Sequence, residues 1–503
     1  MKKYKLKQIS AALVFCMLFA CVFACGKSDV KEDVPQGNAQ EQVGEEAQGA
    51  NEVEKEEKIL PDLPEADFGG HTYNILTFGV NGSYEWEQVD LTCEEENSGD
   101  VIGDAVFRRN KAVEERYNIT LNEVHLYDSA FGSALSKEIK AGTDEYDLIS
   151  PRVIDSAGYM SSGYFLNLFN VDYVDLEKPW YDQNSVKEMS IDHKLFIVLS
   201  DALLSDDNAT TITIFNKQII KDNGLQDPYA LVKEGKWTVG KLYEMAKATA
   251  KDLNGDGKMS ADADQWGYTA WGDAMISYLH SAGQRLVGKD ENDLPVLAFN
   301  SPVTYNAMEK VMDLLYDELV TGNVQKPAFD GIDFGELFSE NRVAFGWCRL
   351  YMIPRLRGMD ADFGLLPIPK IDESGGNIYY STVNVHTACA LAIPVTSAAN
   401  LDRTAIVMEA LSAESKYTLV PAYYEISLKT KYSRDDESSE MLDIILNNKV
   451  LDIGDVYNFA DFGIEFYRRA IQNDRNLVSF YEKYENKVNK EIEKLIGKIE
   501  ALD

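Results

Sequence analysis

The stretch from Phe215 to Tyr268 decides how this 503-residue chain folds. It opens Phe215-Asn216-Lys217, passes Asn223-Gly224-Leu225, Pro228-Tyr229 and Leu231-Val232, and reaches Gly235-Lys236-Trp237-Thr238. Leu242, Met245, Ala246, Thr249 and Ala250 then recur at three- and four-residue steps, which places them on one helical face. That helix runs into Asp252-Leu253-Asn254-Gly255-Asp256-Gly257-Lys258, and Asp264-Gln265-Trp266-Gly267-Tyr268 closes the stretch.

Upstream, strands alternate with helices. Tyr73 to Gly79 reads as a strand, 104–117 as a helix, Ile119 to Leu121 as a strand and Ala130 to Ala141 as a helix. Tyr146 to Ser150, Leu195 to Leu199 and Thr210 to Phe215 read as further strands. Such alternation is the signature of βαβ units around a mainly parallel sheet. Downstream, residues 300–321 form an amphipathic helix carrying Met308, Val311, Met312, Leu314 and Leu315. Leu337-Phe338 with 342–347 is a helix-to-strand unit, 362–370 follows, and Ser439 to Asn447 and Leu477 to Ile499 close the chain as helices.

In order and spacing, 215–268 resembles the middle of the extracellular solute-binding proteins of ABC importers, the family 1 group that includes maltose-binding protein. Phe345-Gly346-Trp347 and Phe363-Gly364-Leu365-Leu366-Pro367 resemble strands of its carbohydrate-binding members. The resemblance implies a two-lobed periplasmic-binding-protein-like α/β fold, each lobe a mainly parallel sheet flanked by helices, closing on a hinge over a solute. Lobe one would comprise 67–208 and about 384–412; lobe two would comprise 209–383 and about 413–503. The implied function is delivery of a carbohydrate or oligosaccharide to ABC permease subunits by a non-enzymatic monomer.

The N-terminus reads as an export signal, residues 1–24. Lys2, Lys3, Lys5 and Lys7 precede an apolar run from about Ile9 to Ala24 that is short for a membrane span. Val22-Phe23-Ala24-Cys25 resembles a bacterial lipobox, so Cys25 is expected to carry the lipid and hold the protein to the cell membrane, facing outward. Residues 25–66 are acidic and nearly free of aromatics, the composition of a disordered tether. Beyond it lies too much apolar sequence for one compact core. The formal net charge of −34, about −38 without the signal lysines, repels nucleic acid and anionic lipid headgroups. Of six cysteines, Cys93, Cys348 and Cys389 remain after Cys16 and Cys21 leave with the signal and Cys25 is lipidated; buried free thiols are expected.

The acidic loop has the chemistry of a calcium site. Asp252, Asn254 and Asp256 alternate as oxygen donors, Gly257 permits the sharp turn, Lys258 offers its carbonyl and Ser260 follows. The usual closing Glu is replaced by Ala263, which leaves Asp262 or, preferably, Asp264 to supply the last carboxylate of a structural Ca2+. An Asn-Gly/Asp-Gly turn without metal is the alternative. For the ligand, Trp86, Trp271 and Trp347 are candidate sugar-stacking planes, with Tyr84 near the first; Arg152, Asp206 and Asp207 are candidate hydrogen-bonding partners. Arg152 stands just beyond Asp147, the position after which the group places ligand contacts. Five scattered histidines, no Gly-x-Ser-x-Gly and no phosphate-binding Gly-x-x-x-x-Gly-Lys-Ser/Thr loop leave no catalytic signature. A surface glycoside hydrolase and a calcium-dependent binding module are the rival readings.

Overall fold

The computed structural model describes residues 58–79, 90–93, 95–96, 99–127, 129–326, 329, 334–424 and 436–502. The signal segment, Cys25, most of the tether, Tyr84 and Trp86 lie outside them. The compact unit starts at Ile59 rather than at 67. Leu63, Ala66 and Phe68 already pack against the core, and the Ile59 amide donates to the Tyr417 hydroxyl at 2.8 Å.

Two sheets organise the body. In the first, β1 (His71–Phe78) lies between β2 (Ile119–Leu126) and β3 (Leu148–Ser150), all parallel. The helices Val101–Tyr117 and Ser129–Ala141 make the crossovers. Asp100 caps the first by accepting from the Ile102 amide, and Asn118 ends it in the left-handed region. Beyond β3 the sheet continues through single bridges, Ile149 with Ala392 and Leu391 with Val198. The expected strand at Leu195–Leu199 is therefore only bridged. The Asn167 side chain takes the Leu195 amide at 3.0 Å, and Ser185 Oγ takes the Leu199 amide at 3.4 Å.

The second sheet runs β10-β4-β9-β5-β8. Its strands are β4 (Thr211–Asn216), β5 (Trp266–Ala270), β8 (Thr321–Asn323), β9 (Val343–Arg349) and β10 (Phe363–Leu366). β5 is parallel to β8 and β9, while β4 is antiparallel to β9 and β10. A hairpin of β6 (Val287–Lys289) and β7 (Pro295–Leu297) and a short parallel pair of β11 (Ser381–Thr382) and β12 (Lys449–Val450) stand apart.

The deciding stretch becomes β4, three helices and β5. Leu242, Met245, Ala246 and Thr249 are the buried face of the helix Val239–Thr249. At Gly267 a Cβ would stand 2.0 Å from the Ala246 carbonyl oxygen, so only glycine lets this helix lie so close over β5. The amphipathic run after residue 300 is a helix from Pro302 to Leu315, capped by Ser301.

The chain leaves the first sheet near Thr210 and returns alongside it, Val383 bridging Thr210 before 389–392 enters the first sheet. One apolar cluster contains residues of both sheets, including Ile75 and Leu148 with Phe345 and Trp347. The C-terminal helices span both halves. Tyr316 donates to the Arg469 carbonyl at 2.8 Å, while Lys194 donates to the Ile499 carbonyl at 2.9 Å. Among the described residues no helix is long and apolar enough to cross a membrane.

Candidate functional site

In parallel α/β sheets, ligands gather where strands end, because loops there are free to vary over a rigid base. β5, β8 and β9 run parallel and finish side by side. Trp271 and Asp273 follow β5, Gln325 follows β8, and Trp347 and Arg349 occupy the last turns of β9. These residues line a cavity of about 330 Å³, closed from the other side by Thr382, Asn384 and His386 of the returning segment. Asp455 and the helix Phe462–Gln472, with Tyr467, complete the wall.

The cavity joins an aromatic surface to an incomplete polar one. The Trp271 and Trp347 rings are 5.8 Å apart with planes at 53°, and the Arg349 guanidinium lies 4.9 Å from the Trp347 ring. Arg349 is ion-paired with Asp273, and Asn384 approaches the same Asp273 oxygen at 3.5 Å. Among the described residues, Trp347 Nε1, Arg349 Nε and Asp273 Oδ1 have no hydrogen-bond partner. Buried polar atoms of this kind are costly unless something satisfies them. Two donors and an acceptor on residues that line an aromatic hollow are suited to a hydroxyl-rich ligand. Burial, with Asp452 and Asp273 nearby, pushes the Asp455 carboxyl up to about 8.

Trp271 and Trp347 thus come together in one cavity. Arg152 does not line it: its Nε donates to Asp155 Oδ2 at 2.8 Å, and its guanidinium rests 4.5 Å from the Phe78 ring centroid. Asp206 and Asp207 are engaged elsewhere. Both bind Lys449, Asp207 at 2.7 Å, in a largely buried cluster that also includes Asp182. Asp273, Arg349, Asp455 and Tyr467 were not singled out from sequence. The available signal was the position of the first two at strand ends beside each tryptophan.

The loop 252–264 forms a tight turn held by its own amides. Both Asp252 carboxylate oxygens accept backbone amides, from Gly255 at 2.6 Å and Gly257 at 2.8 Å. Asn254 accepts from Asp256, and Asp256 from Lys258, each at 2.9 Å. Asp264 is buried inside the loop, accepting from the Leu253 amide at 2.9 Å and the Ser260 amide at 2.8 Å. Burial opposes its ionisation, but these amides outweigh it and hold its pKa below the usual carboxylate range. Among the described residues no three His, Cys, Asp or Glu side chains converge as a metal site requires. As folded, the oxygens serve the turn first.

Cys348 and Cys389 are buried and Cys93 is half-buried, all three as free thiols.

No protein-family model matches the chain, and no curated protein matches it. The architecture is nevertheless shared with solved structures. An ABC substrate-binding protein from Listeria monocytogenes, in complex with cycloalternan, aligns at TM-score 0.54 and 14% identity over 84% of this chain and 99% of that one. A sugar transporter protein from Rhizobium etli in an open conformation aligns at 0.55 and 14%, covering 86% of this chain and 100% of the other. The cyclic α-maltosyl-1,6-maltose binding protein from Arthrobacter globiformis aligns at 0.53 and 13%, covering 86% and 99%. The chain has the two-lobed α/β fold of ABC-transporter substrate-binding proteins.

Proposed function

We propose that this protein is the extracellular substrate-binding component of an ABC importer and delivers a carbohydrate or oligosaccharide to the permease without turning it over. The observation that carries this reading is the cavity where β5, β8 and β9 end. It brings two tryptophans within 5.8 Å of each other and leaves Trp347 Nε1, Arg349 Nε and Asp273 Oδ1 for a hydroxylated ligand. The fold agrees, since its neighbours include proteins solved with oligosaccharides. Two lobes sharing this gap would close on the ligand by a hinge.

The reading includes a lipid anchor at Cys25, which the lipobox-like Val22-Phe23-Ala24-Cys25 supports. It also includes a structural calcium in the loop 252–264, supported by the donor order Asp252, Asn254, Asp256 and Lys258.

Thermal-shift screening of the purified protein against saccharides, peptides and polyamines, followed by calorimetric titration of hits, tests the function. A saccharide that raises the melting temperature and binds at one site is the expected result. Binding confined to peptides, or turnover of a glycan, refutes the proposal.

A further inference from the structure

Charge accounting within the cavity narrows the ligand further. Arg349 and Asp273 cancel each other as an ion pair. Trp347 Nε1 and Arg349 Nε, on residues only 1% and 9% exposed, still need acceptors, while Asp273 Oδ1 still needs a donor. Asp455 adds a second carboxyl at the cavity wall. No hydrogen bond to its side chain is found among the described residues, and no cation faces it as Arg349 faces Asp273. Asp273, Arg349 and His386 line the same cavity, burial lowering the His386 pKa and so favouring the neutral imidazole, and Asp452 lies on its own segment. With every carboxyl ionised, the cavity is therefore short of one positive charge.

Resting on the saccharide reading above, we infer that this cavity takes an amine-bearing saccharide, with its ammonium against Asp455 and Asp273 Oδ1 and its hydroxyls on Trp347 Nε1 and Arg349 Nε. Such a ligand satisfies both orphaned donors and both acceptors, and it supplies the missing charge. A neutral sugar leaves Asp455 protonated, as it is in the free protein, and forgoes the charge-assisted bond that an ammonium makes to the carboxylate. A sugar acid would meet two carboxyls for one guanidinium. The −34 net charge of the chain favours approach of a cation as well. The half-buried Trp271 offers a ring face that attracts an ammonium as readily as the C–H face of a sugar.

The proton balance makes this measurable. Burial and the neighbouring carboxylates push Asp455 up to about 8, so it holds a proton at pH 7 in the free protein. An arriving ammonium favours the carboxylate, and the proton leaves for solvent.

Glucosamine, galactosamine, mannosamine and the β-linked glucosamine disaccharide should be titrated beside their hydroxyl and N-acetyl counterparts. Titration at pH 7 in buffers of different ionisation enthalpy counts the protons released. The expected result is at least tenfold tighter binding of one amine form than of its counterparts, with release approaching one proton. Asp455→Asn should abolish that preference. Equal binding of amine and hydroxyl forms, a preference that survives in Asp455→Asn, or amine binding without proton release overturns the inference. If the hydroxyl forms bind well, the saccharide reading stands without it; if no saccharide of any kind binds, the saccharide reading itself fails. The proton count on the wild-type protein decides the matter even if the variant folds poorly.

Discussion

His280 Nε2 lies 3.1 Å from Asp452 Oδ2, with both side chains fully buried, and its Nδ1 lies 2.7 Å from Thr382 Oγ1 at the cavity wall. Asp452 also accepts amides from Leu286 and Gly454, each at 2.7 Å. Burial raises the Asp452 pKa, but His280, Arg285 and these amides outweigh it and keep the group an anion. An ionised Asp452 accepts the Nε2 proton, so Nδ1 is bare and Thr382 must donate to it. The Thr382 hydroxyl is then fixed as an acceptor toward anything in the cavity.

That arrangement sets a pH dependence of stability. Burial lowers the His280 pKa, with Asp452 opposing it and the Arg285 charge adding to it. A folded pKa below the unfolded value of about 6.5 means that the contribution is complete above that pH and lost as pH falls through it. We expect wild type to lose more stability than His280→Gln between pH 7 and pH 5 in urea melts. Parallel curves for the two proteins would show that the imidazole does not titrate with unfolding.

The two tryptophans separate binding from packing. Trp347 is 1% exposed and Trp271 half-buried, although both line the cavity. Trp271→Ala should weaken ligand binding by about 1.5–3 kcal/mol, a factor of roughly ten to a hundred, with a nearly unchanged melt. Trp347→Ala should lose binding and also about 3–5 kcal/mol of stability, because it leaves a hole in the core. Unchanged affinity in a well-folded Trp271→Ala protein removes that ring from the ligand site.

How much of this was legible in sequence depended on how local each signal is. The helix Val239–Thr249 shows in the spacing of Leu242, Met245, Ala246 and Thr249, and the long helix Leu477–Ile499 has both ends where its apolar steps start and stop. Trp271 and Trp347 were visible as aromatic candidates, Trp347 through the strand-like Phe345-Gly346-Trp347. Asp455 was not, because its role exists only once residue 455 meets 273 and 349 across the fold. The pairing of Asp206 was hidden for the same reason: its cation, Lys449, is 243 residues away. Leu195–Leu199 has the composition of a strand, yet side chains of Asn167 and Ser185 take two of its amides.

Lys449 should be costly to remove. Burial works to lower its pKa, but Asp206, Asp207 and Asp182 outweigh this and hold it well above the usual lysine value. Lys449→Met strands these carboxylates without their cation, and losing one partner of a buried pair costs about 3–5 kcal/mol. Chemical denaturation at pH 7 measures it. Adding Asp206→Asn to Lys449→Met should recover part of the loss, since one stranded charge is then removed. A purely additive double mutant would mean that the two residues are not coupled.

The loop 252–264 allows a separation of turn from metal. Asp264 binds the Leu253 and Ser260 amides from inside the loop, whereas Asp256 is exposed and its carboxylate accepts from the Lys258 amide. Asp264→Ala should therefore lower the melting temperature with calcium or with chelator, because it leaves two amides without their acceptor, at about 1–3 kcal/mol for a buried donor left unmet. Asp256→Ala should leave the chelated protein nearly unchanged and abolish only the rise that calcium brings, since a ligand held by the native state alone stabilises by mass action. Melts of wild type and both variants, each with calcium and with chelator, give six values that distinguish the roles. If wild type melts identically in both buffers, the calcium proposal is refuted and the loop is a turn. If Asp264→Ala is silent in chelator, the amide staple is not what holds it.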